Sequence, residues 1–155
     1  MRIALIDDDP VSLYALRHYL PRKCNSNHEY FSINPKSYSE KFGVSAGYFK
    51  LFFDLEKLNL DFAVSDFYWD SNFSLDGFLN FLNTEGSAPF DLPMVCISGS
   101  EIDYDITSYN NVLDKIETKL GAILIPNLSK IIDAYSETKH GIVVSDEKLL
   151  TCNSK

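Results

Sequence analysis

The feature that most limits how this chain can fold is a series of short apolar runs that stop at polar residues. Ile3-Ala4-Leu5-Ile6 ends at Asp7-Asp8-Asp9-Pro10, Phe62-Ala63-Val64-Ser65 ends at Asp66, and Pro93-Met94-Val95-Cys96-Ile97 ends at Ser98-Gly99-Ser100. None alternates with polar residues, so each suits a strand covered on both faces. Tyr30-Phe31-Ser32-Ile33, closed by Asn34-Pro35, and Ala122-Ile123-Leu124-Ile125 are two further strand candidates. Stretches with helical apolar spacing lie between them. Strand and helix in alternation predict an α/β fold, a five-stranded parallel sheet that is doubly wound.

The first helix is expected over Val11 to Leu20, with Asp9 able to cap it, Pro10 to open it, and Pro21 to end it. Ser37 to Leu58 is long and aromatic for one helix, and Gly43 and Gly47 are expected to break it. Phe78, Leu79, Phe81 and Leu82 give Gly77 to Leu82 an apolar face. A helix is expected over Asn110 to Leu120, ahead of the Ala122–Ile125 strand, and Leu128, Ile131, Ile132 and Tyr135 mark the last helix. Residues 1–140 form one domain on this reading, and 141–155 are a C-terminal tail or the start of a linker.

Composition narrows the function. A net charge of −8 argues against a surface that grips nucleic acid by neutralising phosphates. No apolar run approaches the roughly 20 residues needed to span a bilayer. Cys24, Cys96 and Cys152 are odd in number and widely spaced, which suits free thiols in a reducing compartment rather than a disulfide scaffold or a zinc site. The expected location is the cytoplasm.

Ligands of an open parallel sheet bind at the carboxyl ends of its strands. Three predicted strands bring Asp7, Asp8, Asp66 and Ser98 to that edge. Carboxylates crowded together repel one another unless a cation neutralises them, and Mg2+ (or Mn2+) takes such oxygen ligands while leaving room for a phosphate oxygen.

With these motifs the chain resembles the receiver domains of two-component response regulators. Ile3 to Pro10 is similar to that family's first strand and acidic pair, and Phe62 to Asp66 to the strand that carries the phosphoacceptor. Leu75-Asp76-Gly77 is similar to the motif opening the next helix, Pro93 to Gly99 to the strand ending in Ser or Thr, and Gly121-Ala122 to the small pair before the last strand. The resemblance spans about Met1 to Tyr135 and implies a flavodoxin-like receiver architecture. It implies phosphorylation on Asp66, with the metal held by Asp8 directly, by Asp7 through water, by Asp66 and by the backbone carbonyl of Tyr68. Ser98 would hydrogen-bond the phosphoryl group. The implied partners are a histidine kinase or a histidine phosphotransfer protein in a phosphorelay; a homodimer is allowed, direct nucleic-acid binding by this domain is not expected, and the domain is not itself an enzyme.

The chain also departs from that pattern. The family carries a lysine at the end of the fifth strand, and none follows Ala122-Ile123-Leu124-Ile125-Pro126 before Lys130, with Asn127 the best match to the vacant position. The same run offers no switch aromatic. Asn34 to Leu60 is longer than usual, and Asp66 to Gly77 carries an insertion containing Trp69 and Asp70. A pseudo-receiver, a phosphorylation-independent protein-interaction module on the same fold, is therefore the alternative. A magnesium-dependent phosphohydrolase would need a second acidic cluster and a lysine beside the phosphate, and neither is found.

Overall fold

A computed structural model describes residues 1–85, 90–102, 105–118 and 121–139, so the expectations for 141–155 fall outside the described residues. In chain order the elements are β1 (Arg2–Ile6), α1 (Pro10–Lys23), β2 (Glu29–Ile33), α2 (Lys36–Phe42), α3 (Val44–Lys57), β3 (Phe62–Asp66), β4 (Tyr68–Asp70), β5 (Phe73–Ser74), α4 (Leu75–Thr84), β6 (Met94–Ile97), β7 (Val112–Ile116) and α5 (Gly121–Lys139). A short 3-10 turn, Ile106–Ser108, precedes β7.

The main sheet has the order β2-β1-β3-β6-β7, with every pairing parallel. The period-2 alternation of each buried strand divides the core in two. Ile3 and Leu5 of β1, Phe62 and Val64 of β3, and Val95 and Ile97 of β6 pack against α1 and α5 through Leu13, Leu16, Leu124 and Leu128. Ala4, Ile6, Ala63, Met94 and Cys96 face α3 and α4, where Leu51, Leu55, Phe78 and Leu79 meet them. Apolar cover on both faces explains why these strands lack polar alternation.

Gly43 and Gly47 have different roles. Gly43 has φ of 77° and separates α2 from α3, as expected of a residue free to enter the left-handed region. Gly47 lies inside α3, where a Cβ would sit 3.1 Å from the backbone of Tyr38; its small size lets α2 pack tightly on α3. The insertion after Asp66 forms the β4–β5 hairpin. It delivers Trp69 and Phe73, both fully buried, to the α3/α4 face, where Phe73 stacks on Tyr48 at 4.2 Å.

The sequence reading misassigned the last third. Asn110 to Leu120 is not helical: Val112–Ile116 is the fifth strand, β7, paired with β6. Ala122–Ile125 is not a strand but the start of α5, and Gly121-Ala122 opens that helix rather than preceding a strand. The reason is burial. As an edge strand β7 is fully covered only at Val112, exposes Leu113 and leaves Asp114 and Lys115 half-buried, so it lacks a buried strand's apolar run. The opposite holds for α5, whose first turns bury Leu124, Ile125 and Leu128 against the sheet. Pro126 is accommodated inside α5, and Pro21 likewise lies within α1 rather than ending it.

Candidate functional site

The first strand carries Asp7 out of the sheet into a fully buried position, and the third ends at Asp66, which is 4% exposed. Asp8 follows at the rim, half-buried. One oxygen from each of Asp7, Asp8 and Asp66 lies within 4.8 Å of the other two. The three carboxylates that the sequence singled out are thus brought together. Their oxygen-only donor set fits a hard divalent cation, magnesium or manganese, better than a soft one.

Local hydrogen bonds orient these groups. Asp9 N–H donates to Asp7 Oδ1 at 2.8 Å, and Asp9 in turn caps α1, accepting from Val11 N–H at 3.0 Å and Ser12 N–H at 3.2 Å. Phe67 N–H donates to Asp66 Oδ1 at 2.8 Å. The backbone carbonyl of Asp66 accepts from Ser65 Oγ–H and from Trp69 Nε1–H, both at 2.8 Å. The inserted hairpin therefore grips Asp66 through a buried indole, a contact that sequence reasoning missed. The only available signal was a tryptophan three residues beyond the aspartate.

Ser98 is buried directly after β6, its N–H bonded to the Ile116 carbonyl at 2.9 Å, and its Oγ accepts from Ser100 N–H at 3.3 Å. Register sets Asp66 level with Ile97, so Ser98 stands one residue beyond Asp66 on the neighbouring strand. Tyr68 opens β4, two residues past Asp66, with its side chain half-exposed. Gly77, from the motif after the hairpin, is required by packing: a Cβ there would lie 2.2 Å from Tyr48 Oη.

The relocated fifth strand carries a lysine of its own. Lys115 is the penultimate residue of β7, level with Cys96 of β6. Its Nζ donates to Glu117 Oε1 at 2.9 Å, and Glu117 Oε1 also accepts from Ile102 N–H at 3.2 Å. The Lys115 charge reaches the interior: burial pushes the Cys96 thiol up to about 12, the negative charge of Asp66 adds to this, and Lys115 opposes it. Asn127 and Lys130, the earlier candidates, both lie exposed on α5. The missing aromatic stands, because β7 has none.

No family model matches the sequence, and no curated protein matches it. Solved structures do. A response regulator receiver domain protein from Clostridium thermocellum superposes with a TM-score of 0.58 at 15% identity, over 92% of this chain and 98% of that one. The N-terminal domain of a response regulator receiver protein from Methanoculleus marisnigri gives 0.53 at 13% identity, over 93% and 98%. RcsB from Salmonella enterica serovar Typhimurium, bound to a promoter in the presence of the phosphomimetic BeF3−, gives 0.58 at 15% identity, over 89% of this chain and 62% of RcsB. Sheet order, helix placement and these superpositions agree: this chain has the fold of response regulator receiver domains.

Proposed function

We propose that this chain is a two-component receiver that accepts a phosphoryl group on Asp66 in the cytoplasm. The observation that carries the reading is the convergence of Asp7, Asp8 and Asp66 within 4.8 Å at the carboxyl edge of the sheet. The phosphoryl donor is a histidine kinase or phosphotransfer protein. Asp7, Asp8, Asp66 and the Tyr68 carbonyl would hold Mg2+ or Mn2+, which when bound supplies neutralising charge for the incoming phosphoryl oxygens. Each remaining role falls to the chain itself. An Asp66 carboxylate oxygen attacks phosphorus as the donor's bond to phosphorus breaks and the electron pair leaves with the donor. Ser98 Oγ–H donates to a phosphoryl oxygen, and Lys115 supplies a charge-assisted hydrogen bond. Exposed Val11 and Tyr19 on α1 line a cavity of about 490 Å³ that reaches Asp7 between α1 and α5, a surface on which a donor protein can rest.

One observation favours the pseudo-receiver instead: Lys115 is engaged by Glu117. Intact-mass measurement separates the readings. With acetyl phosphate and magnesium, wild type is expected to gain one phosphoryl mass that chelator prevents and Asp66→Ala abolishes. No adduct on wild type, with a partner phosphotransferase also failing, would leave the interaction module as the function.

A further inference from the structure

At the opposite, amino-terminal edge of the sheet the fold builds a second cluster of different chemistry. The loop from α1 to β2 contributes Cys24 and His28, and α5 contributes Asp133. One sulfur, one ring nitrogen and one carboxylate oxygen from these residues lie within 4.8 Å of one another. We propose that Cys24, His28 and Asp133 bind a borderline-soft divalent cation, with zinc the natural occupant. This inference is independent of any role for Asp66.

The donor set is the first argument. A thiolate, an imidazole and a carboxylate are the ligand types that zinc accepts, and three protein ligands leave one position for water. Magnesium, which takes oxygen ligands, is poorly matched here.

The surroundings are the second argument. Ligands that hold a metal are themselves oriented by outer hydrogen bonds, and each member of this trio has such a contact. Tyr30 Oη–H donates to Cys24 Sγ at 3.5 Å. Asn25 N–H donates to both carboxylate oxygens of Asp133, at 3.0 and 3.1 Å. The Met1 amino group lies 3.3 Å from His28 Nδ1, and the Tyr30 ring stands edge-on to the imidazole at 6.2 Å. Ligation through one ring nitrogen leaves the other to the amino group.

Charge is the third. The Cys24 sulfur and an Asp133 carboxylate oxygen lie within 4.8 Å of each other. A dication between them would stabilise thiolate and carboxylate together. The widely spaced cysteines of the sequence argued against a zinc site; folding supplies what spacing could not, since Asn25 and Asp133 are 108 residues apart.

Cobalt is the probe, because a thiolate bound to Co2+ gives a charge-transfer band that carboxylates do not. The full chain must carry no N-terminal tag, since Met1 touches His28. Wild type is expected to develop the band to saturation at one equivalent and to lose it on addition of zinc. Cys24→Ser, which retains Cys96 and Cys152, should abolish the band, and Asp8→Ala should leave it unchanged. Tyr30→Phe, which removes only the outer hydrogen bond, should weaken zinc affinity by about tenfold. Folding of each variant is checked by circular dichroism in chelator, and Tyr30→Phe, which keeps the ring, serves if Cys24→Ser fails to fold. A wild type without the band, or a folded Cys24→Ser that keeps it, or an Asp8→Ala that loses it, would overturn the proposal.

Discussion

The two ends of the sheet handle charge in opposite ways. At the amino edge, opposite charges and donors meet: Asp61 accepts from Arg2 N–H at 2.8 Å and from Lys139 Nζ, and Asp133 accepts from Asn25 N–H. The carboxyl edge gathers like charges, with three carboxylates drawn to one point and Lys115 engaged by Glu117. Carboxylates held close disfavour joint ionisation, and a bound cation would lessen that. One edge thus joins opposite charges and donors, whereas the other gathers carboxylates whose mutual repulsion a cationic ligand would reduce. Evolution tolerates local conflict of this kind mainly where it serves function.

The sharpest break of the comparison comes from Trp69. Its indole is fully buried and bonds the Asp66 carbonyl, so it joins the carboxyl edge to the core beneath. Trp69→Ala is expected to cost about 3 to 5 kcal/mol of stability, as for other buried aromatics. Trp69→Phe keeps much of the packing but loses the N–H and some ring volume, at a smaller cost of about 1 to 3 kcal/mol. Urea unfolding measures both. If the two variants cost the same, the hydrogen bond rather than the ring carries the insertion's contribution.

Lys115 and Glu117 come next. A charge-assisted hydrogen bond contributes about 1.5 to 3 kcal/mol, so Lys115→Met should slow phosphorylation of Asp66 by tenfold or more, at about 1.4 kcal/mol per decade. Glu117→Gln retains an acceptor for Ile102 N–H but weakens the hold on Lys115. It should therefore speed phosphorylation, by about twofold to tenfold. The rate of adduct formation by intact mass reads both effects. A Glu117→Gln variant slower than wild type would mean that Glu117 orders the loop and does not restrain the lysine.

These residues also show where the sequence was legible. β1, β3 and β6 are covered on both faces, so their side chains are almost all apolar and their polar ends stand out; Asp7, Asp8, Asp66 and Ser98 could be placed from that pattern alone. β7 is an edge strand whose Leu113 is 49% exposed and whose neighbours are Asp114 and Lys115, so its composition resembles a polar helix. Misreading it displaced the fifth strand onto the buried first turns of α5 and concealed Lys115. Period fails where burial is one-sided or absent. Contacts remote in sequence were invisible for another reason: the link from Asp61 to Lys139 depends on how α5 folds back across the sheet, which no local pattern records.

A smaller effect tests the carboxyl edge directly. In chelator, Asp8→Asn removes one charge from the cluster while keeping a similar shape, and should raise stability by about 0.5 to 1 kcal/mol through relief of repulsion. Added magnesium should then stabilise the variant less than wild type. Thermal unfolding with and without the metal reads both terms. A melting temperature lower than wild type in chelator would instead mark Asp8 as a hydrogen-bonding group on which the fold depends.

The smallest expected effect is at the other edge, at the Asp61–Lys139 pair. The hydrogen bond from Lys139 holds the Asp61 carboxyl below its usual value, helped by the Arg2 N–H, and burial opposes the shift only in part. A carboxyl with a depressed value in the folded state contributes stability that is present above its unfolded value, about pH 4, and is lost as pH falls through the folded one. Lys139→Ala removes the main cause. The pair is partly exposed, at 45% and 26% for the two side chains, so solvent screening limits its contribution to about 0.5 kcal/mol at neutral pH. Wild type should exceed Lys139→Ala by that margin at pH 7, and the two should converge as pH falls below about 4. Salt should shrink the difference at pH 7, since screening weakens exposed pairs. A difference that persists unchanged at low pH would assign the effect of Lys139 to packing of its stem against the start of β3, and the contrast between the two edges would then rest on the carboxylate cluster alone.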